Sequence, residues 1–190
     1  VPVIEIDSLD DERFTELFTS FTDSAWRLET LDSYSVAYEE EAYKAFLEGD
    51  LSLIHERPSS WIDEVIVPAV EAGRDIGRVH VIERFTDEDG KLALGDYLRF
   101  EFEWYKRNKA AGEDIRIAWV EPGQWVKNVR KMGRDFWLFD EDTDHAKVVE
   151  MHYEPDGSFA KAVVTRNGRR MKEAVKCKKA AMRAAKRFYP

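Results

Sequence analysis

The chain has 190 residues, 44% hydrophobic and 13% aromatic. That is enough for one domain with a real core, and it excludes wholesale disorder. One Cys excludes an intrachain disulfide and a cysteine-based structural zinc site, and no apolar run approaches the roughly 18 residues of a membrane helix. Val1 to Asp7 is short and acidic, without the basic flank of a secretory signal, so a cytoplasmic protein without membrane contact is expected.

In chain order, residues 1–7 read as extended. Ser8 to Asp11 suit a helix cap, and Phe14, Phe18, Phe21, Ala25 and Leu28 recur at helical spacing, which predicts a helix over about 11–31. A second helix is predicted over 37–48, ended by Gly49, followed by a loop over 50–58. A third opens at Ser59 and Ser60, is interrupted by Pro68 and stops at Gly73. The helical N-terminal part thus spans about 8–73.

Arg78 to Glu83 is β-branched and reads as a strand, followed by a turn over Thr86 to Lys91. Residues 92–108 fit helical and alternating spacing alike; the length of the segment favours a helix. Asp114 to Val120 is the next strand, and residues 124–134 a polar connection with one helical turn. Phe136 to Phe139 is apolar throughout, as a central strand buried on both faces should be. Ala146 to Glu154 and Phe159 to Val164 then form a hairpin around Pro155-Asp156-Gly157, and a helix follows over about 169–187. The fold class is α/β, a mixed sheet of about five strands with a helical N-terminal segment and a basic C-terminal helix.

The net charge of −9 hides an asymmetry. Residues 166–190 hold ten basic side chains against Glu173 alone, a net +9. Residues 1–165 hold 19 basic and 37 acidic ones, a net −18. We therefore divide the chain into a single acidic α/β domain, 1–165, and a basic C-terminal helix, 166–190. Arg169, Arg170, Lys172, Lys176, Lys179 and Arg183 are its candidate contacts. They can meet a nucleic acid, dock on the acidic body or simply face water.

No phosphate-binding glycine loop, nucleophile elbow or dinucleotide fingerprint occurs. The four His residues have no metal-ligand spacing, so neither a metal nor a cofactor is expected. His80 and His152 lie on different predicted strands that can approach each other. Cys177, among Lys176, Lys178 and Lys179, lacks a base held beside it and reads as incidental. Aromatic and charged residues interleave most densely at Arg99, Glu101, Arg116, Asp135, Trp137 and Asp140, a candidate shared surface or cleft. An enzyme would draw on His80, Glu101, Glu103, His152 and Tyr153.

Phe21 through Tyr34, Arg78-Val79-His80-Val81, Asp96-Tyr97-Leu98-Arg99-Phe100-Glu101, Ala111 through Arg116 and Asp135-Phe136-Trp137-Leu138-Phe139-Asp140 together resemble the signature of an actinobacterial domain family of unknown function. The resemblance spans about residues 14 to 154. Members of that family are often encoded near XRE-type helix-turn-helix regulators, which implies a regulatory association. The basic tail departs from the family, whose members end in a shorter, less basic helix. A weaker likeness joins Val79–Ile82, residues 92–112, Ile115–Val120 and residues 136–140 to half of a phospholipase-D-like fold. Its catalytic motif is H-x-K-x-x-x-x-D. With Asp140 as the Asp, the His and Lys positions hold Gly133 and Asp135; with His145-Ala146-Lys147 as H-x-K, the Asp position holds His152.

The leading expectation is a non-enzymatic regulatory protein acting through a protein partner such as a helix-turn-helix regulator. The alternatives are a small-molecule or phosphoester-processing enzyme and nucleic-acid binding through the C-terminal helix.

Overall fold

Eight strands make one mixed sheet in a computed structural model that describes residues 3–189. The elements run β1 (Ile4–Ile6), α1 (Glu12–Ser20), β2 (Ser24–Glu29), a 3-10 turn (Ala37–Glu39), α2 (Glu40–Leu47), α3 (Ser52–His55), a π-helical turn (Trp61–Ile66) and α4 (Val67–Glu71). They continue with β3 (Asp75–Glu83), β4 (Phe85–Thr86), β5 (Leu92–Ala93), α5 (Asp96–Ala110), β6 (Asp114–Val120), α6 (Lys127–Met132), β7 (Phe136–Phe139), β8 (Lys147–Tyr153), β9 (Phe159–Thr165), α7 (Gly168–Ala184) and β10 (Lys186–Arg187). The order across the sheet is β1-β9-β8-β7-β2-β3-β6-β10, and β4 with β5 forms a separate hairpin. Strands β2, β3 and β6 are parallel, linked by helical crossovers, whereas β7, β8 and β9 form an antiparallel meander.

The α/β class and the mixed sheet agree with the sequence, but the sheet has eight strands instead of about five. The additions are β1, β2 and β10. Strand β2 replaces the second half of the helix expected over 11–31, so the N-terminal part is not wholly helical. Asp11 caps α1 by accepting the Arg13 N–H, and the chain is extended again at Phe21. From Ser24 the residues alternate in a period of two: Trp26 and Leu28 enter one core cluster, while Ala25 belongs to another across the sheet. Pairing decides the conformation, because β2 bonds to β3 on one side and β7 on the other. The C-terminal helix is also shorter than expected. It stops at Ala184, and Ala185 is extended. Lys186 and Arg187 then pair with Ile117 and Arg116, and Phe188 packs on Phe102 and Tyr105 of α5.

Helices α6 and α7 cover one face of the sheet. Ala174, Cys177 and Ala181 of α7 meet Val79, Val81, Phe136, Leu138 and Val148 there. On the other face an aromatic cluster around Trp137, with Phe18, Trp61 and Phe139, lies over β7, and α5 lies over β3 and β6 through Leu98, Tyr105, Ile115 and Ile117. Between these two apolar patches the strands β2 and β3 present Arg27, Glu29, Arg78 and His80, and this charged layer holds most of the ionisable groups of the interior.

Candidate functional site

The charged layer follows from register. Arg27 lies beside Arg78, and Glu29 beside His80, on adjacent parallel strands, so all four side chains leave the same face of the sheet. Arg78 is buried and forked: Nε and Nη2 donate to the two oxygens of Glu113, at 2.6 and 3.2 Å, and Nη1 reaches Glu29 at 3.2 Å. Arg27 Nη1 lies 3.0 Å from Glu29 Oε1. Burial works to raise the Glu29 carboxyl, but Arg27, Arg78 and His80 prevail and hold it at about 2.

His80 is fully buried beneath α5. Its Nε2 donates to the Leu31 carbonyl at 2.8 Å, and Nδ1 lies 2.9 Å from the Tyr105 hydroxyl and 3.3 Å from Glu101 Oε2. Tyr105 donates its hydrogen to Glu29 at 2.8 Å. Nδ1 thus faces two acceptors and carries a proton as well, which makes the ring an imidazolium. Burial opposes that charge, and the Glu101 carboxylate outweighs it, raising the His80 pKa to about 9. Beyond Arg27, Asp135 accepts from Thr30 and Tyr34 at 2.6 and 2.5 Å, and burial raises its carboxyl. Towards solvent, Glu39 accepts from Tyr97; burial, then the neighbouring Glu101, pushes it up to about 7.

A cleft of about 640 Å³ opens beside this layer, lined by Thr30, Asp32, Arg134, Asp135, His152 and Tyr153 among others. It joins the ends of β2 and β8 to the segment preceding β7.

Of the enzyme set, the structure brings His80 and Glu101 together, and Tyr153 joins the same layer through Arg27. Glu103 points away to Lys106 and His55. His152 is not beside His80; it lies against Arg134 on β8. The six-residue surface set does not converge either. Arg99 is exposed and pairs with Asp96 on α5, and Arg116 pairs with Asp114. Trp137 is core. Asp140 is buried, and its Oδ1 accepts the main-chain N–H groups of Thr22, Asp23 and Ser24. Only Glu101 and Asp135 of that set belong to the charged layer. Cys177 is buried, and burial pushes its thiol up to about 12, so the flanking lysines do not activate it.

The C-terminal basic residues divide in two. Arg170 is held by Glu150 and Glu173, and Lys178 by Glu141 at 2.9 Å. Arg169, Lys172, Lys176, Lys179 and Arg183 recur every three or four residues and are exposed along one stripe of α7. Among the described residues, only Arg169 of these five has an ion partner, Glu173 at 3.5 Å. Helix α6 packs beside α7 and adds exposed Lys127, Arg130 and Lys131 on the same side of the sheet. The single helical turn expected within 124–134 is helix α6, whose basic residues were not among the candidate contacts. The run Lys127-x-x-Arg130-Lys131 was the available signal.

Residues 12–189 match a family described as a domain of unknown function, DUF6879, and the chain belongs to that family. Two solved structures are similar in fold. One is a phospholipase D family member, Nuc from Salmonella typhimurium, with 13% identity and a TM-score of 0.51, covering 100% of this chain and 99% of that one. The other is TrmBL2, an archaeal chromatin protein, with 9% identity and a TM-score of 0.50, covering 98% of this chain and 54% of that one. The phospholipase-D likeness thus extends over the whole chain. No curated protein matches the chain.

Proposed function

We propose that this protein is a non-enzymatic interaction protein that docks on the phosphate backbone of nucleic acid through the basic face of α6 and α7. One observation carries the reading: Lys172, Lys176, Lys179 and Arg183 are exposed on one stripe with no acidic partner among the described residues. From Arg169 to Arg183 the stripe is about 21 Å long at 1.5 Å per residue. Clustered cations on a helix gain from the counterions that phosphates release. The acidic remainder of the chain opposes approach from any other side. An archaeal chromatin protein described as binding DNA shares the fold. The non-enzymatic part of the reading is supported by the incomplete H-x-K-x-x-x-x-D pattern, since the sole H-x-K, His145-Ala146-Lys147, is followed by His152 at the Asp position.

The test is fluorescence anisotropy of the full chain with labelled duplex DNA and RNA over a salt series. Deleting residues 166–190 would strip Ala174, Cys177 and Ala181 from the core, so the control is Lys172→Gln/Lys176→Gln/Lys179→Gln. Five phosphate contacts give a slope of log K against log salt of about −4.5, or about 500-fold between 50 and 200 mM. The triple variant should reduce the slope to about −1.8. No binding at 50 mM salt, or an unchanged slope in the variant, refutes the reading.

A second reading keeps a protein partner, because residues 1–165 carry −18. Such a surface suits a basic DNA-binding domain, such as a helix-turn-helix regulator. It predicts salt-sensitive association that the triple Gln variant leaves intact.

A further inference from the structure

We propose that Glu29, His80, Glu101 and Tyr105 form a closed structural site for one divalent cation of the zinc class, which ties α5 to β2 and β3. This inference is independent of the basic face. Three buried ligand residues converge: single donor atoms of Glu29, His80 and Glu101 all lie within 4.8 Å of one another. The Tyr105 hydroxyl sits among them, 2.9 Å from His80 Nδ1 and 2.8 Å from Glu29 Oε2. A tetrahedral zinc with bonds of about 2.0 Å places its ligand atoms about 3.3 Å apart. Glu101 Oε2 already lies 3.3 Å from His80 Nδ1.

A second observation comes from Glu101. The residue is only 8% exposed, and its Oε2 makes no hydrogen bond of good geometry among the described residues, although His80 Nδ1 faces it at 3.3 Å. A buried carboxylate oxygen without an aligned donor is costly, and a metal bond would satisfy it. The outer contacts are those expected around a metal ligand. His80 is oriented by its Nε2 hydrogen bond to the Leu31 carbonyl, which leaves Nδ1 as the donor atom, and Glu29 is fixed by Arg27 and Arg78.

Charge points the same way. With a neutral imidazole, the carboxylates of Glu29, Glu101, Glu113 and Asp135 face only Arg27 and Arg78 in the layer. Two positive charges are missing. A divalent ion bound among these ligands supplies both. One imidazole and two carboxylates suit zinc, and the neutral Tyr105 hydroxyl lies where a fourth oxygen would stand. Burial on all sides makes the site structural, because a catalytic metal keeps an open position.

The experiment refolds the full chain from guanidinium with zinc chloride or with EDTA, removes loose metal by gel filtration, and measures zinc by mass spectrometry together with thermal unfolding. About one zinc per chain and a higher Tm in the zinc-refolded sample are expected. Glu101→Gln should weaken retention by more than about 100-fold, while Glu103→Gln, on α5 outside the site, should retain the ion. Zinc below about a tenth of an equivalent in the wild type, or equal retention by Glu101→Gln, overturns the proposal. Should Glu101→Gln fail to fold, the cobalt-refolded wild type decides: a tetrahedral visible absorption band supports the site, and its absence overturns it.

Discussion

Asp140 gives the sharpest test of how the charged and polar interior should be read. Its Oδ1 accepts three successive main-chain N–H groups, those of Thr22 at 2.9 Å, Asp23 at 2.8 Å and Ser24 at 3.2 Å, and so fixes the turn that enters β2. The residue itself sits at φ 52°, the left-handed region. Asp140→Ala removes the acceptor. Ser24 is buried and loses its partner outright, whereas Thr22 and Asp23 are exposed and recover water, so the lost bonds cost about 2–3 kcal/mol. Holding Ala in the left-handed region adds about 1 kcal/mol. The total, about 3–4 kcal/mol, should lower Tm by about 6–16 °C in a chain of this size. Asp140→Asn keeps an oxygen acceptor and tolerates the left-handed backbone, and should cost about 1–2 kcal/mol. Asp140→Gly separates the terms, since it relieves the backbone but not the lost acceptor. Urea unfolding followed by circular dichroism measures all three. A cost under about 1 kcal/mol for Asp140→Ala, or full recovery in Asp140→Gly, refutes the capping role.

Other outcomes follow from the same layer and its surroundings. Arg78→Met strands Glu113 and should cost about 3–5 kcal/mol in urea unfolding, much of it recovered in the double variant with Glu113→Leu. Glu39 carries a carboxyl raised from 4.5 to about 7, so the folded state binds more protons than the unfolded one in that window and stability falls as pH rises through it. Glu39→Gln should therefore match the wild type below about pH 4.5 and exceed its Tm above about pH 7, and a constant difference across that range would contradict the assignment. Gly157 has φ 82°, and a Cβ there would lie 2.8 Å from the Ser33 carbonyl oxygen. Gly157→Ala should thus cost about 1–3 kcal/mol, measured as a shift in the urea midpoint at constant slope. Cys177 should resist a thiol alkylating reagent at neutral pH until the chain is unfolded; rapid labelling of the native protein would show that α7 does not pack on the sheet as described.

Much of this protein was legible in local sequence. The parallel strands β3 and β6 are β-branched runs between turn signals. The apolar Phe136–Phe139 run declared a strand buried on both faces, and its four residues are indeed buried. The hairpin at Pro155-Asp156-Gly157 and the C-terminal basic helix came from spacing that needs no partner to be recognised. The exposed cationic stripe of α7 was foreshadowed by its spacing, because cations at three- and four-residue intervals share a face whatever the helix packs against.

Tertiary structure decided the rest. Phe14, Phe18, Phe21, Ala25 and Leu28 fit a helix as well as α1 followed by β2. Only strand pairing on both edges distinguishes the two, and that information lies in β3 and β7, far along the chain. Nothing in local sequence marks Arg27, Glu29 or Arg78, and His80 stands out only as a candidate enzyme residue; adjacent parallel register places the four on one face, and the arrival of α5 buries them with Glu101 and Tyr105. Spacing in sequence could not join Glu29 to His80 or Asp140 to Thr22, because those contacts cross separate elements. Local periodicity determined which segments fold and which faces of them are apolar. Long-range pairing determined which polar groups lose water together, and it is that loss that gives the candidate site its chemistry.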